Sequence, residues 1–126
     1  MLNRTGIKKE TAGAPVQILF NVQNQMSVSV QVAKTAGVTV DGKTIVKAGT
    51  PLTGDLTTRG TAFTAAGTDN AVGVLLHDVD VTNGAANGTL LIWGFVNLDR
   101  IDSTTQGKIT SGVKTALKGS IWFLKD

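Results

Sequence analysis

His77 is the only histidine in the chain, and it sits beside Asp78 and three residues before Asp80, inside the stretch AVGVLLHDVDV at 71–81. A histidine next to carboxylates suggests two chemistries: proton transfer by an oriented imidazole, or metal ligation. The spacing argues against both. The segment alternates like a strand, and successive strand side chains point to opposite faces. His77 and Asp78 therefore diverge, while Asp78 and Asp80 share a face without the imidazole. A metal needs three or four donors within ~2–2.6 Å of one ion, and the other candidates, Asp69, Asp99 and Asp102, lie elsewhere in sequence. A Ser/His/Asp relay would have to use His77, yet no Gly-x-Ser-x-Gly elbow is present. Paired acids for glycoside chemistry need two carboxylates in a cleft, and the single glutamate, Glu10, falls near the start of the chain. The glycine-rich pieces GTDNAVG and TNGAANG lack the lysine of a phosphate loop. The expectation is a protein that is not an enzyme, with no catalytic residue, metal or cofactor. Asp78 and Asp80 keep a strand end soluble and discourage edge pairing, and His77 is a partly exposed polar residue.

The elements that must position these residues belong to one domain, since 126 residues is the size of a single core. Apolar residues make up 41% and charged residues only 17%, the balance being Thr, Gly, Asn and Gln. That is too apolar and too weakly charged for a disordered chain, and an uncharged polar surface favours packing against neighbours because few ions need desolvating. Without cysteine there is no disulfide frame and no thiolate chemistry. No apolar run approaches the ~20 residues of a membrane helix, and MLNRTGIKKE is not followed by a secretory apolar region. The net charge of +3 is scattered apart from Arg4, Lys8 and Lys9, and there is no tyrosine. Nucleic-acid binders gather basic residues on one face with aromatics between them, so direct nucleic-acid binding is not expected.

Residues 1–14 are polar and aperiodic and read as a flexible N-terminal arm; 15–126 read as a single β-rich domain. PVQILFNV places Val16, Ile18, Phe20 and Val22 at alternate positions, and SVSVQV does the same with Val28, Val30 and Val32. Asp41-Gly42, between Val38/Val40 and Ile45/Val46, predicts a type I′ hairpin. Residues 48–70 read as a long loop with brief extended pieces. AVGVLLHDVDV reads as one strand, TNGAANG as a turn, and TLLIWGFVNLD as a strand covered on both sides. In GKITSGVKTALKG, Ile109, Val113, Ala116 and Leu117 have helical spacing, with Gly119 as the stop. SIWFL closes the chain as a short strand. The fold class expected is mainly β (β-rich α+β): a compact sandwich- or barrel-like domain with one short C-terminal helix.

Taken together, the hairpin followed by VKAGTPL, then AVGVLLHDVDVTNGAANGTLLIWGFVNLDRI, then a helix and a closing strand, resembles the head decoration proteins of tailed bacteriophages. It is similar to the lambda decoration family and to the base domain of phage head fibre proteins. The likeness covers residues 38 to 102 best; the arm and helix fit in order and length. It implies a cement protein, made in the host cytoplasm, that coats the outer surface of the expanded head, its partners being the major capsid protein and two further copies in a homotrimer. It also implies that the arm bridges coat subunits through Arg4, Ile7, Lys8, Lys9 and Pro15, and that Asp78, Val79, Asp80, Gly94, Val96 and Asn97 are architectural. The alternative is a head fibre base or a module that binds a host-surface glycan. That role needs aromatic rings exposed in a shallow groove. Trp93 and Trp122 are the candidates, and their strongly apolar surroundings predict that both are buried in the core.

Overall fold

The computed structural model describes residues 17–19, 23, 25–58, 60–67 and 69–125. In chain order its strands are β1 (Met26–Val32), β2 (Val38–Val40), β3 (Lys43–Val46), β4 (Pro51–Thr53), β5 (Thr64–Ala65), β6 (Gly73–Leu75), β7 (Val79–Asp80) and β8 (Ala86–Asn97). Two short helices, α1 (Ser103–Gln106) and α2 (Ser111–Ala116), lead to the last strand, β9 (Ile121–Leu124). The protein is mainly β, as its alternating valines imply. The arm, including Arg4, Ile7, Lys8, Lys9 and Pro15, lies outside the described residues, as do Val16, Phe20 and Val22 of the first alternating run.

The strands form two sheets. The larger has the order β1-β8-β6-β4-β5, with β9 added to β8; the smaller has the order β2-β3-β7. Among the described strands the pairings are antiparallel except β8 with β9, which is parallel. A parallel neighbour cannot be reached by a tight turn and needs a crossover, which here runs through α1 and α2. The hairpin between β2 and β3 turns on Asp41 (φ 53°) and Gly42 (φ 79°), the two positive angles that a type I′ turn requires.

β8 is the spine. Leu90 and Leu91 are both fully buried, yet belong to different hydrophobic clusters. Leu91 faces Val74, Val96, Ile109, Val113, Leu117 and Ile121 on the helix side. Leu90 faces Val32, Val46, Leu52, Phe63, Leu75 and Val81, packed with the smaller sheet. The apolar run in TLLIWGFVNLD is thus covered on both faces at its start. Register then shifts: Ser27 pairs with Leu91 and Met26 with Trp93, so Ile92 is an extra residue on β8. A bulge of this kind reverses the facing of every later side chain.

Four expectations need correction. AVGVLLHDVDV is not one strand: β6 ends at Leu75, the chain bends through Leu76-His77-Asp78, and β7 belongs to the other sheet. TNGAANG is only partly turn, because β8 already begins at Ala86. The expected C-terminal helix is the shorter α2, and a further short helix, α1, precedes it; Asp102 and Thr110 each accept a bond from a backbone N–H and start one of the two. Ile109, Val113 and Leu117 are buried there as predicted, but Ala116 faces solvent. Finally, Ile18 and Leu19 are both buried, and Leu19 makes only an isolated bridge to Val96, so no simple alternation holds at that point.

Candidate functional site

Seen in three dimensions, the histidine–aspartate cluster comes apart. Asp78 turns to the loop between β3 and β4, where its Oδ1 accepts from the Ala48 backbone N–H at 2.7 Å. Its Oδ2 lies 3.5 Å from Lys47 Nζ, with both side chains about half exposed, an arrangement that adds little stability. Asp80, exposed like Asp78, bonds within its own turn: its Oδ1 accepts from the backbone N–H of Thr82 at 2.9 Å and from the Thr82 hydroxyl at 2.6 Å. Those two bonds, the hydroxyl's first, hold the Asp80 carboxyl below its usual range, and nearby Lys43 pulls the same way. The half-buried His77 has an Nδ1 shielded from solvent and without a hydrogen-bond partner. Among the described residues no group of three or more His, Asp or Glu converges as a metal site. The corner therefore redirects the chain between sheets: Asp78 pins it to the β3–β4 loop and Asp80 caps the turn that follows.

The other architectural candidates lie on β8. Gly94 has φ 155°, which favours glycine, and Val96 is fully buried. Asn97 is also buried, and its Oδ1 accepts from the Asp99 N–H at 3.0 Å, opening the turn at the strand end.

Where the sequence led us to expect buried tryptophans, the structure has an exposed aromatic cluster. Trp93 and Trp122 are each 40% exposed. β8 and β9 pair in register with Phe95 opposite Trp122, and those rings stack at 5.2 Å between centroids with 27° between their planes. Trp93 meets both edge-on, at 5.9 Å from Phe95 and 6.1 Å from Trp122. Such mutual contacts fix the rings without help from a partner. Met26, paired with Trp93, is 59% exposed, and Leu124, two residues past Trp122 and on the same face, is 40% exposed. The opposite face of β9 carries Ile121 and Phe123 into the helix-side core. The cause lies in the register: after the bulge at Ile92, Trp93 and Phe95 point away from that core while Val96 points into it. Met26, Phe95 and Leu124 were not recognised from the sequence. The period-two spacing Trp93/Phe95 and Trp122/Leu124 was the available signal, but in runs that are apolar at every position it does not say which face is dry.

A second apolar feature is a groove of about 320 Å³ on the outer face of the smaller sheet, lined by Val38, Val40, Ile45, Lys47, Asp102 and Thr105. Its lining holds no imidazole and no ring. No helix among the described residues is long and apolar enough to cross a membrane.

The chain matches no model of a known protein family, and no curated protein matches it in sequence.

Proposed function

We propose that the chain is a structural virion protein, a decoration or cement protein that binds the outer surface of the expanded phage head and stabilises it. The observation that carries this reading is the rigid, uncharged, exposed end of β8 and β9: Met26, Trp93, Trp122 and Leu124 present apolar area on a domain whose core is already filled on both faces of the sheet. A contiguous apolar patch of that kind marks a surface that is covered in an assembly, as expected of a protein that acts as part of a shell coat. The resemblance of residues 38–102 to head decoration proteins points the same way, and the basic arm supplies a second contact. A ligand that binds only the expanded shell shifts its balance by RT ln(1 + [L]/Kd), about 4 kcal/mol per site at ~1000-fold excess over Kd. Copies that assemble bind with avidity, because each further arm binds from an already tethered state.

The test is to incubate the full chain, and a form lacking residues 1–14, with expanded empty heads and to image both by cryo-electron microscopy. The full chain coats the heads and the shortened form stays folded but fails to coat. Uncoated heads with the full chain overturn the reading; normal coating by the shortened form removes the arm as anchor.

The exposure of the tryptophans also favours a second reading, a head fibre base that holds a host-surface glycan by stacking sugar rings on Trp93 and Trp122. Quenching of tryptophan emission by a host-surface oligosaccharide, lost in Trp122→Ala, is its signature.

A further inference from the structure

We propose that the aromatic end of β8 and β9 is where copies of this chain meet, Trp93, Phe95, Trp122 and Leu124 of one copy packing against the same residues of its neighbours. The inference deepens the decoration reading by naming the surface through which copies join, and it is read on the free protein without any shell, so each fails separately.

Three observations select another copy as the occupant. The first is area. Two tryptophans at 40%, a leucine at 40% and a methionine at 59% leave roughly 400 Å² of apolar side chain in water, within the range of the largest patch on a monomer. Two such patches brought together hide about 800 Å², of the order of the ~1,000 Å² that a specific interface needs. A single sugar ring covers only a fraction of the patch.

The second is charge. Among the described residues, those that form the patch carry no ionised side chain: β8 contributes Trp93 and Phe95, β9 contributes Trp122 and Leu124, and Met26 flanks them. A partner must then bring a surface that is itself apolar and uncharged, and this patch is such a surface. Self-association requires no charge to be desolvated.

The third is the strand edge. The described pairings of β9 are to β8 alone. An edge strand with outward tryptophan and leucine is a template for another chain unless charge or proline blunts it. Proline is absent from β9, and its nearest charge, Lys125, follows the strand. The edges of the smaller sheet are handled differently, with Asp80 on β7 and the Asp41-Gly42 turn at the end of β2.

The experiment measures molar mass by light scattering across a concentration series, together with acrylamide quenching of tryptophan emission. The wild-type chain is expected at two or more times 13.1 kDa, with quenching that rises on dilution as the rings are released. Trp122→Lys and, independently, Leu124→Lys keep the wild-type far-ultraviolet circular dichroism and associate about 30-fold more weakly, the loss expected for a central interface residue. Val40→Lys, on the outer face of the smaller sheet, leaves the mass unchanged. A wild-type chain that is monomeric throughout the series, or a multimer that survives both substitutions, overturns the proposal. So does a monomer whose emission is quenched by added oligosaccharide, since the patch then belongs to sugar.

Discussion

The corner at Leu76-His77-Asp78 and the aromatic end at Trp93 and Trp122 contrast in what their residue types suggest and in what they do. The corner has the residues of a catalytic site, yet both carboxylates are spent on holding the chain, Asp78 on the Ala48 N–H and Asp80 on Thr82, and the imidazole joins neither. The aromatic end has the residues of a core, yet stands in water. A residue's type indicates which interactions it is able to make; the register of the surrounding sheet decides which ones it makes.

The contrast breaks most visibly at Gly73, in the strand that enters the corner. A Cβ there would lie 2.5 Å from the Leu91 carbonyl oxygen and 2.8 Å from Leu90 Cγ. Gly73→Ala should destabilise the protein by about 3 kcal/mol, read as a lowered urea midpoint. An unchanged midpoint would mean that β6 and β8 are not so closely apposed. Asp78→Ala comes next. It leaves the Ala48 N–H without its carboxylate and should cost about 2 kcal/mol. If Asp78 served chemistry instead, the loss would appear in an activity and not in the urea midpoint.

At the other end, Trp122→Ser should cost only about 1 kcal/mol in dilute protein, the worth of its ring contacts. It should raise solubility, as measured by the concentration at which turbidity appears. A loss as large as that of Gly73→Ala would place Trp122 in the core after all.

The smallest effect is that of acid. The folded-state pKa of Asp80 is depressed by Thr82, so its contribution to stability is present above the ordinary aspartate pKa and disappears as pH falls through the depressed one. Melting temperatures of wild type and Asp80→Asn should therefore differ at neutral pH and converge below the usual carboxylate range. Parallel curves across that range would show that the Asp80–Thr82 bonds do not form in solution.

Much of the fold was legible because it rests on local rules. Asp41-Gly42 needs no distant partner to make its turn, and Val28, Val30 and Val32 mark a strand by alternation alone. The corner was hidden because apolar residues recur throughout AVGVLLHDVDV: β6 is buried on both faces and β7 on one, so the change of sheet leaves no polar gap longer than His77-Asp78. The tryptophans were misplaced for a related reason. One extra residue, Ile92, reverses the facing of Trp93 and Phe95, and a continuous apolar run shows no trace of that reversal. The additional helix, α1, was not foreseen because its starting signal, Asp102, is a short polar residue in a segment already full of them.

Leu90 and Leu91 are neighbours on one strand but serve opposite interiors. Neither interior can therefore loosen alone: pulling β8 away from the helices also withdraws it from the smaller sheet. Such a molecule should melt in a single calorimetric step, with no half-open state for tension to exploit, whichever face the load arrives from.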